Sequence, residues 1–322
     1  MDRVMRWWAV AVLVVVVVLG GCASAQRGGA GRAMAMDPRG DPLIFTGDGR
    51  QVGFDEVVSA ASGADVVLIG ETHGHELGLA FAAALFEDVL ARTDRAALSL
   101  EFFERDQQAA LDDYLAGFTD EKAFRKAAHR TDGNYPAGHR AMIEAAKAAG
   151  RPVYAANAPR RYVRIARRRG FDALGSITPE QSRLVVVPDE QPGGRYRDDF
   201  FEMMGEMFDS DAHGQQREEL TEEQKQERLE GYFRSQSVWD ATMADTIATA
   251  LADGNRPVVH VVGRFHADFG GGTVQMLRRL RPEARIVTIS VGDVRPDGFA
   301  EDDRGRADYV VYVGSGSEGD SG

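Results

Sequence analysis

Residues 65–70 read DVVLIG: an aspartate, four apolar residues in an unbroken run, and a glycine. An uninterrupted apolar run of strand length is the pattern of a strand buried on both faces, whereas a strand with one wet face would alternate. Such a strand needs helices on either side of its sheet, and the chain supplies them in alternation. AALSLEFF (96–103), RPVYAAN (151–157), RPVVHVVG (256–263) and ARIVTISVG (284–292) repeat the strand pattern, and DYVVYVG (308–314) adds a last one. Between them ELGLAFAAALFEDVLART (76–93), residues 106–128, GHRAMIEAAKAAG (138–150) and GGTVQMLRRLRP (271–282) space apolar residues as helices do. PLIFTGDGRQV (42–52) reads as a hairpin and FDEVVSAAS (54–62) as a short helix. The expected fold class is α/β, a mostly parallel sheet flanked by helices.

The ends of the 322-residue chain read differently. Arg3 and Arg6 precede an apolar run and then LGGCAS (19–24), a secretory signal ending in what resembles a bacterial lipobox. Cys22 is the lone cysteine, so it can form no internal disulfide, and lipidation gives it a use. The expectation is a signal over 1–22 with lipidation at Cys22, a flexible tether over 23–40, a folded domain over 41–313 and a disordered tail over 314–322. A membrane contact is expected through the lipid anchor alone, with the domain facing the periplasm. The absence of Asp after Cys22 favours the outer membrane. Within the domain, residues 178–253 are mainly helical and highly charged and read as a cap over the strand ends. A net charge of −12 excludes a nucleic-acid partner, because nothing offers a basic face to phosphates.

In open parallel sheets ligands bind beyond the carboxyl ends of the strands. Four such ends carry polar chemistry: Glu71, His73 and His75; Glu101 and Arg105; Asn157 and Arg160; Arg264 and His266. Two of them share a pattern, Gly70-Glu-Thr-His73 and Gly263-Arg-Phe-His266, in which a glycine turns the backbone and presents a histidine over the sheet edge. His73 and His266 with Glu71 or Glu101 offer mixed N/O ligands to a divalent ion. Without metal, a histidine flanked by glutamate is a general base. His75 reads as exposed on a helix, and His260 as a core histidine. The arginine cluster 160–170 is a solvated face or an anion site, and Gln236, Asp240 and Met243 share one helical face. Met203, Met204 and Met207 with Phe200 and Phe208 read as cap core. No serine nucleophile elbow, phosphate loop or cysteine metal motif is present.

VVLIGETHG, LSLEFFERDQQ, VYAANAPRRYV, SQSVWDATMA and VVGRFHADFGGG, in that order, resemble the ChaN-like haem-binding uptake domain of the Tiki/TraB/erythromycin-esterase superfamily, across about residues 41–295. The resemblance implies an α/β sheet with a helical cap and a pocket over the strand ends. It also implies a shared core of Glu71, His73, Glu101, Arg105, Asn157, Arg160, Gln236, Asp240 and His266. ChaN members bind haem between subunits through a tyrosine with histidine support, for which Tyr135 and His139 match best by position. Tiki-type relatives are metal-dependent proteases, and erythromycin esterases hydrolyse without metal. The first expectation is therefore a lipid-anchored protein that binds haem or another iron-containing ligand for iron uptake, as a homodimer. The second is a hydrolase of a peptide or ester in which Glu71, His73, Glu101 and His266 are catalytic, or His73, Glu101 and His266 hold a divalent metal. Whether the protein is an enzyme stays open at this point. A non-enzymatic envelope scaffold would leave the four polar strand ends unexplained.

Overall fold

The computed structural model of the protein describes residues 36–209 and 221–315, so Cys22 and its signal lie outside the described residues. Among these the strands are β1 (Leu43–Thr46), β2 (Gln51–Val52), β3 (Val66–Glu71), β4 (Ala97–Glu104), β5 (Val153–Asn157), β6 (Val258–Gly263), β7 (Ile286–Gly292) and β8 (Tyr309–Tyr312). They form one sheet in the order β2-β1-β8-β7-β3-β6-β4-β5. Strands β3 to β8 run parallel, and β1 is antiparallel to both β8 and β2. The helices are α1 (Phe54–Gly63), α2 (Glu76–Arg92), α3 (Gln108–Leu115), α4 (Glu121–Ala127), α5 (Ala137–Ala148), α6 (Arg160–Arg169), α7 (Pro179–Ser182), α8 (Arg195–Asp209), α9 (Glu222–Ala252), α10 (Arg264–Ala267) and α11 (Gly272–Leu280).

All six residues of β3 are buried, as its unbroken apolar run demands. Its side chains alternate between two cores: Val67 and Ile69 pack with Phe81, Leu85 and Phe86 of α2, and Val66 and Leu68 pack with Ile247 and Leu251 of α9. Each such aliphatic side chain removed from water contributes roughly 1.5–3 kcal/mol. A helical layer on each face is the architecture that the strand pattern required.

Two boundaries differ from the sequence expectation. The expected cap 178–253 divides: Ala241, Met243, Ala244, Ile247 and Leu251 of α9 lie directly on the sheet, so this half of α9 is a flanking layer. Only its first half, with α8, builds a separate cluster of Tyr196, Phe200, Met204 and Phe233 with Met203, Met207 and Phe265 packed against it. Ala241, Ala244, Ala248 and Ala250 of the second half let α9 approach the sheet closely. The expected tether ends early as well, because Arg39 is held at 3.0 Å from Asp88 and 3.1 Å from Glu87 on α2.

His260 sits in the middle of β6 on the α9 side, fully buried, with Nδ1 2.9 Å from Ser99 Oγ. Burial pushes its pKa down to about 4, against the nearby charge of Glu101. The unfolded histidine takes a proton near pH 6.5, so the unfolded state binds more protons between the two values and stability falls as pH drops through that window. We expect about 3 kcal/mol to be lost between pH 6.5 and 4 on this account, and His260→Gln to flatten that part of the curve in urea melts at stepped pH. A wild-type curve already flat there would refute the assignment.

Candidate functional site

Strand β6 is inserted between β3 and β4, which follow one another in the chain with only α2 between them. The carboxyl ends of the three strands are thereby side by side. In register, Glu71 of β3 faces Gly263 of β6. Strand β4 is irregular at this point: Leu100 pairs with Ala155 and Glu104 with Asn157, so four steps on β4 span two on β5. This bulge re-aims Glu101, whose Oε2 accepts the Gly263 N–H at 2.6 Å. A Cβ on residue 263 would lie 2.9 Å from His73 Nε2. Glycine is required there for the imidazole to lie over the strand end.

Three carboxylates and three histidines are paired around this point. Glu71, 4% exposed, has Oε1 3.0 Å from His73 Nδ1 and Oε2 3.2 Å from His139 Nε2. Asp240, wholly buried on α9, has Oδ1 2.7 Å from His266 Nδ1 and accepts from Thr273 Oγ1 and Tyr196 OH, each at 2.7 Å. His266 Nε2 in turn lies 3.9 Å from Glu101 Oε1. Burial alone would raise Glu71, but the charge of His139 and hydrogen bonds from both histidines outweigh it and hold its pKa at about 2. Glu101 is likewise lowered against burial by His266, His73 and the Gly263 N–H. The bond to Glu71 pushes His73 up to about 9. His266 is raised as well: burial opposes this, and the charge and hydrogen bond of Asp240 overcome it. Of these imidazoles His73 alone is exposed, with 53% of its side chain accessible, while His139 and His266 are buried.

The other expected residues have different surroundings. Arg105 was expected to bind ligand, but it is a clamp: Nε reaches Thr246 Oγ1, Nη1 reaches Arg183 O, and Nη2 reaches Thr242 O and Asp245 Oδ2 at 2.7 Å. Its donors are committed to α9 and the chain after α7. Asp240, expected on the ligand side, is instead the group that orients His266. Tyr135 is buried among Phe102, Phe103 and Phe124, with no partner for its hydroxyl. Asn157 Oδ1 accepts the Ala158 N–H, and Arg160 is exposed with Nε 3.7 Å from Glu104. Gln236 lies on the half-buried face of α9, and its Oε1 is buried without a partner. His75 is not free on a helix surface; its Nδ1 accepts the Gly78 N–H and caps α2.

Among the described residues no group of three or more His, Cys, Asp or Glu side chains is arranged to hold a metal ion. Of the expected set His73, Glu101 and His266, each histidine has its Nδ1 bonded to a carboxylate, Glu101 Oε2 accepts the Gly263 N–H, and His266 Nε2 lies 3.9 Å from Glu101 Oε1. Sequence reasoning missed Tyr196, Thr273 and Gly272. A Cβ on Gly272 would fall 2.0 Å from Asp240 Oδ2, so the triple glycine before Thr273 was the available signal. Tyr196 had none.

The family model described as "Haem-binding uptake, Tiki superfamily, ChaN" matches residues 57–277, from α1 to α11. The chain belongs to this family. Campylobacter jejuni ChaN, solved with cofacial haem, superposes with a TM-score of 0.63 at 15% identity, covering 84% of this chain and 96% of that one. At that identity the likeness is one of fold. The type III effector HopBA1 (TM-score 0.44, 12% identity, 81% and 92% covered) and a mutant of the erythromycin esterase EreC in its open conformation (0.41, 13%, 77% and 76%) are weaker likenesses. No curated protein matches the chain in sequence.

In this ChaN-family site the exposed imidazole is polarised by a buried carboxylate through Nδ1, which leaves Nε2 unbonded among the described residues. Glu71→Gln removes the anion that holds the His73 proton, so the His73 pKa should fall from about 9 toward 6.5. A raised histidine stabilises the fold below its unfolded pKa and loses that contribution as pH rises through its folded pKa. The wild type should therefore weaken between pH 6.5 and 9, and the variant much less. Imidazole proton NMR titration reads the first effect and urea melts the second; an unmoved His73 resonance would disprove the pairing.

Proposed function

We propose that the protein binds haem at the carboxyl ends of β3, β6 and β4, with His73 as the group presented to the iron. The observation that carries this reading is an exposed imidazole, held through its Nδ1 by a buried glutamate, in a chain of the haem-binding ChaN family. A carboxylate partner on the far nitrogen raises the basicity of an imidazole, a recurrent arrangement around metal-ligating histidines. The residues fit the group in a second respect. The hydroxyl of Tyr135 and Nδ1 of His139 are buried polar atoms without partners, and both rings flank Phe102. When bound, haem would supply ferric iron, for which imidazole and phenolate are both suitable ligands. This chain's own part is to orient His73 through Glu71 and to keep Glu101 ionised beside it. Cofacial haem, as described for the Campylobacter jejuni protein, would lie between two copies and needs exposed groups more than an enclosed cavity. We further read the protein as anchored through Cys22 in the cell envelope, where it would hold haem for iron uptake.

A second reading rests on the buried half of the site. His266, turned onto Asp240 and facing Glu101, is a carboxylate-oriented imidazole of the kind that serves as a general base. It supports ester or peptide hydrolysis, in which His73 and Glu101 would complete the proton path.

Titration with hemin separates the two. Wild type should give a shifted Soret band, and His73→Ala should weaken hemin binding about tenfold or more, as loss of an axial ligand does. Tyr135→Phe should leave the spectrum close to wild type. If Tyr135→Phe abolishes the band and His73→Ala does not, the iron belongs to the phenolate and the His73 assignment is wrong. An absent Soret shift together with His266-dependent cleavage of a chromogenic ester would favour hydrolysis.

A further inference from the structure

A cavity of about 440 Å³ opens between α4 and the segment that follows it, lined by Glu121, Lys122, Arg125, Lys126 and Arg130. Four of the five lining residues are cations, in a chain that carries 50 acidic against 38 basic side chains. The single acid is already used: Glu121 pairs with Arg140 at 2.6 Å. Arg125 is bonded to the exposed Asp132. Among the described residues Lys122, Lys126 and Arg130 form no ion pair with a carboxylate.

Arg130 is fixed in place. Its guanidinium stacks 4.2 Å from the Phe102 ring and 4.4 Å from the Phe103 ring, and Nη2 donates to Phe102 O at 2.6 Å and Gln107 Oε1 at 2.7 Å. Its Nε is buried without a partner. A guanidinium already immobilised loses little further entropy when an anion arrives. Burial pulls its pKa down to about 10, the direction a bound anion would reverse. The arginines at the start of α6 offer no such arrangement, since Arg161 is paired with Asp106 and Arg160 lies near Glu104.

We infer that this cavity is an anion-binding site for a small ligand carrying two or more carboxylate or phosphate groups, held by the fixed guanidinium of Arg130 and the exposed ammonium groups of Lys122 and Lys126. The volume suits a molecule of that class. The inference uses none of Glu71, His73, Glu101 or His266, although Arg130 stacks on the same Phe102 that flanks Tyr135 and His139.

Calorimetric titration of the purified protein with citrate and, separately, with pyrophosphate tests it. At least one probe should bind with a stoichiometry of one, more weakly as salt rises. Comparing the two probes decides between carboxylate and phosphate. Lys122→Ala/Lys126→Ala, both on exposed positions, should weaken binding about tenfold or more. Arg164→Ala/Arg168→Ala on the exposed face of α6 should leave it unchanged. No binding of either probe, or equal losses in the two double variants, would overturn the inference.

Discussion

A carboxylate with no access to water is tolerable in a fold only if its oxygens are bonded, and Asp240 meets that condition with three donors from three places. His266 comes from α10, Thr273 from α11 and Tyr196 from α8, and Asp240 itself from the middle of α9. This one anion therefore ties together four helices, α8 to α11, around the end of β6. Gly272 leaves room for it, since any side chain there would occupy the position of Oδ2. The division of α9 into a sheet-covering half and a half that packs with α8 occurs near Asp240. Removal of the acid would leave three donors unmatched and release the orientation of His266 at the same time.

From that pin the site extends outward in steps of alternating charge. Asp240 orients His266, His266 faces Glu101, Glu101 takes the Gly263 N–H, and His73 lies over Gly263 with Glu71 behind it. The inner end is dry and saturated; the outer end is an exposed imidazole. Such an arrangement keeps one nitrogen in a defined orientation at the mouth of the sheet without leaving an unpaired charge inside it. It also explains why an arginine so near, Arg105, contributes nothing to the mouth. Its donors are needed to hold α9 against the end of β4.

Much of this was legible because it is written locally. The apolar runs at 66–69 and 258–262, the second broken only by the buried His260, and the glycines at 70 and 263 report burial on both faces and a sharp exit, properties of a few neighbouring residues. The paired Gly-x-x-His motifs pointed to one site because parallel strands present their carboxyl ends together. What stayed hidden depends on distant pairing. Nothing in residues 97–104 announces that β6, some 160 positions later, will lie against them, and so nothing announced that Glu101 would be bent onto Gly263 by a bulge. Asp240 looked like a ligand-facing residue because helical periodicity gives a face without saying what covers it. The covering groups, Tyr196 and Thr273, lie 44 residues before it and 33 after it.

Tyr135 presents the same problem in its sharpest form. It is the one buried residue between positions 129 and 138, in an otherwise exposed or half-exposed stretch. Rings alone hold it: Phe102, Phe103 and Phe124 surround it, Arg125 lies 5.8 Å from its ring centre, and its hydroxyl bonds to nothing. Burial raises the phenol's pKa, so within the core the neutral hydroxyl is favoured over the phenolate. Withdrawing the ring costs the apolar contact of one aromatic side chain, a few kcal/mol, and returns an unmatched hydroxyl to water, which offsets part of it. The balance between a buried phenol and an iron-bound phenolate is therefore a contest of a few kcal/mol. His73 must also shed a proton to ligate, because its bond to Glu71 raises it to about 9, but it already stands in solvent and needs no withdrawal from the core.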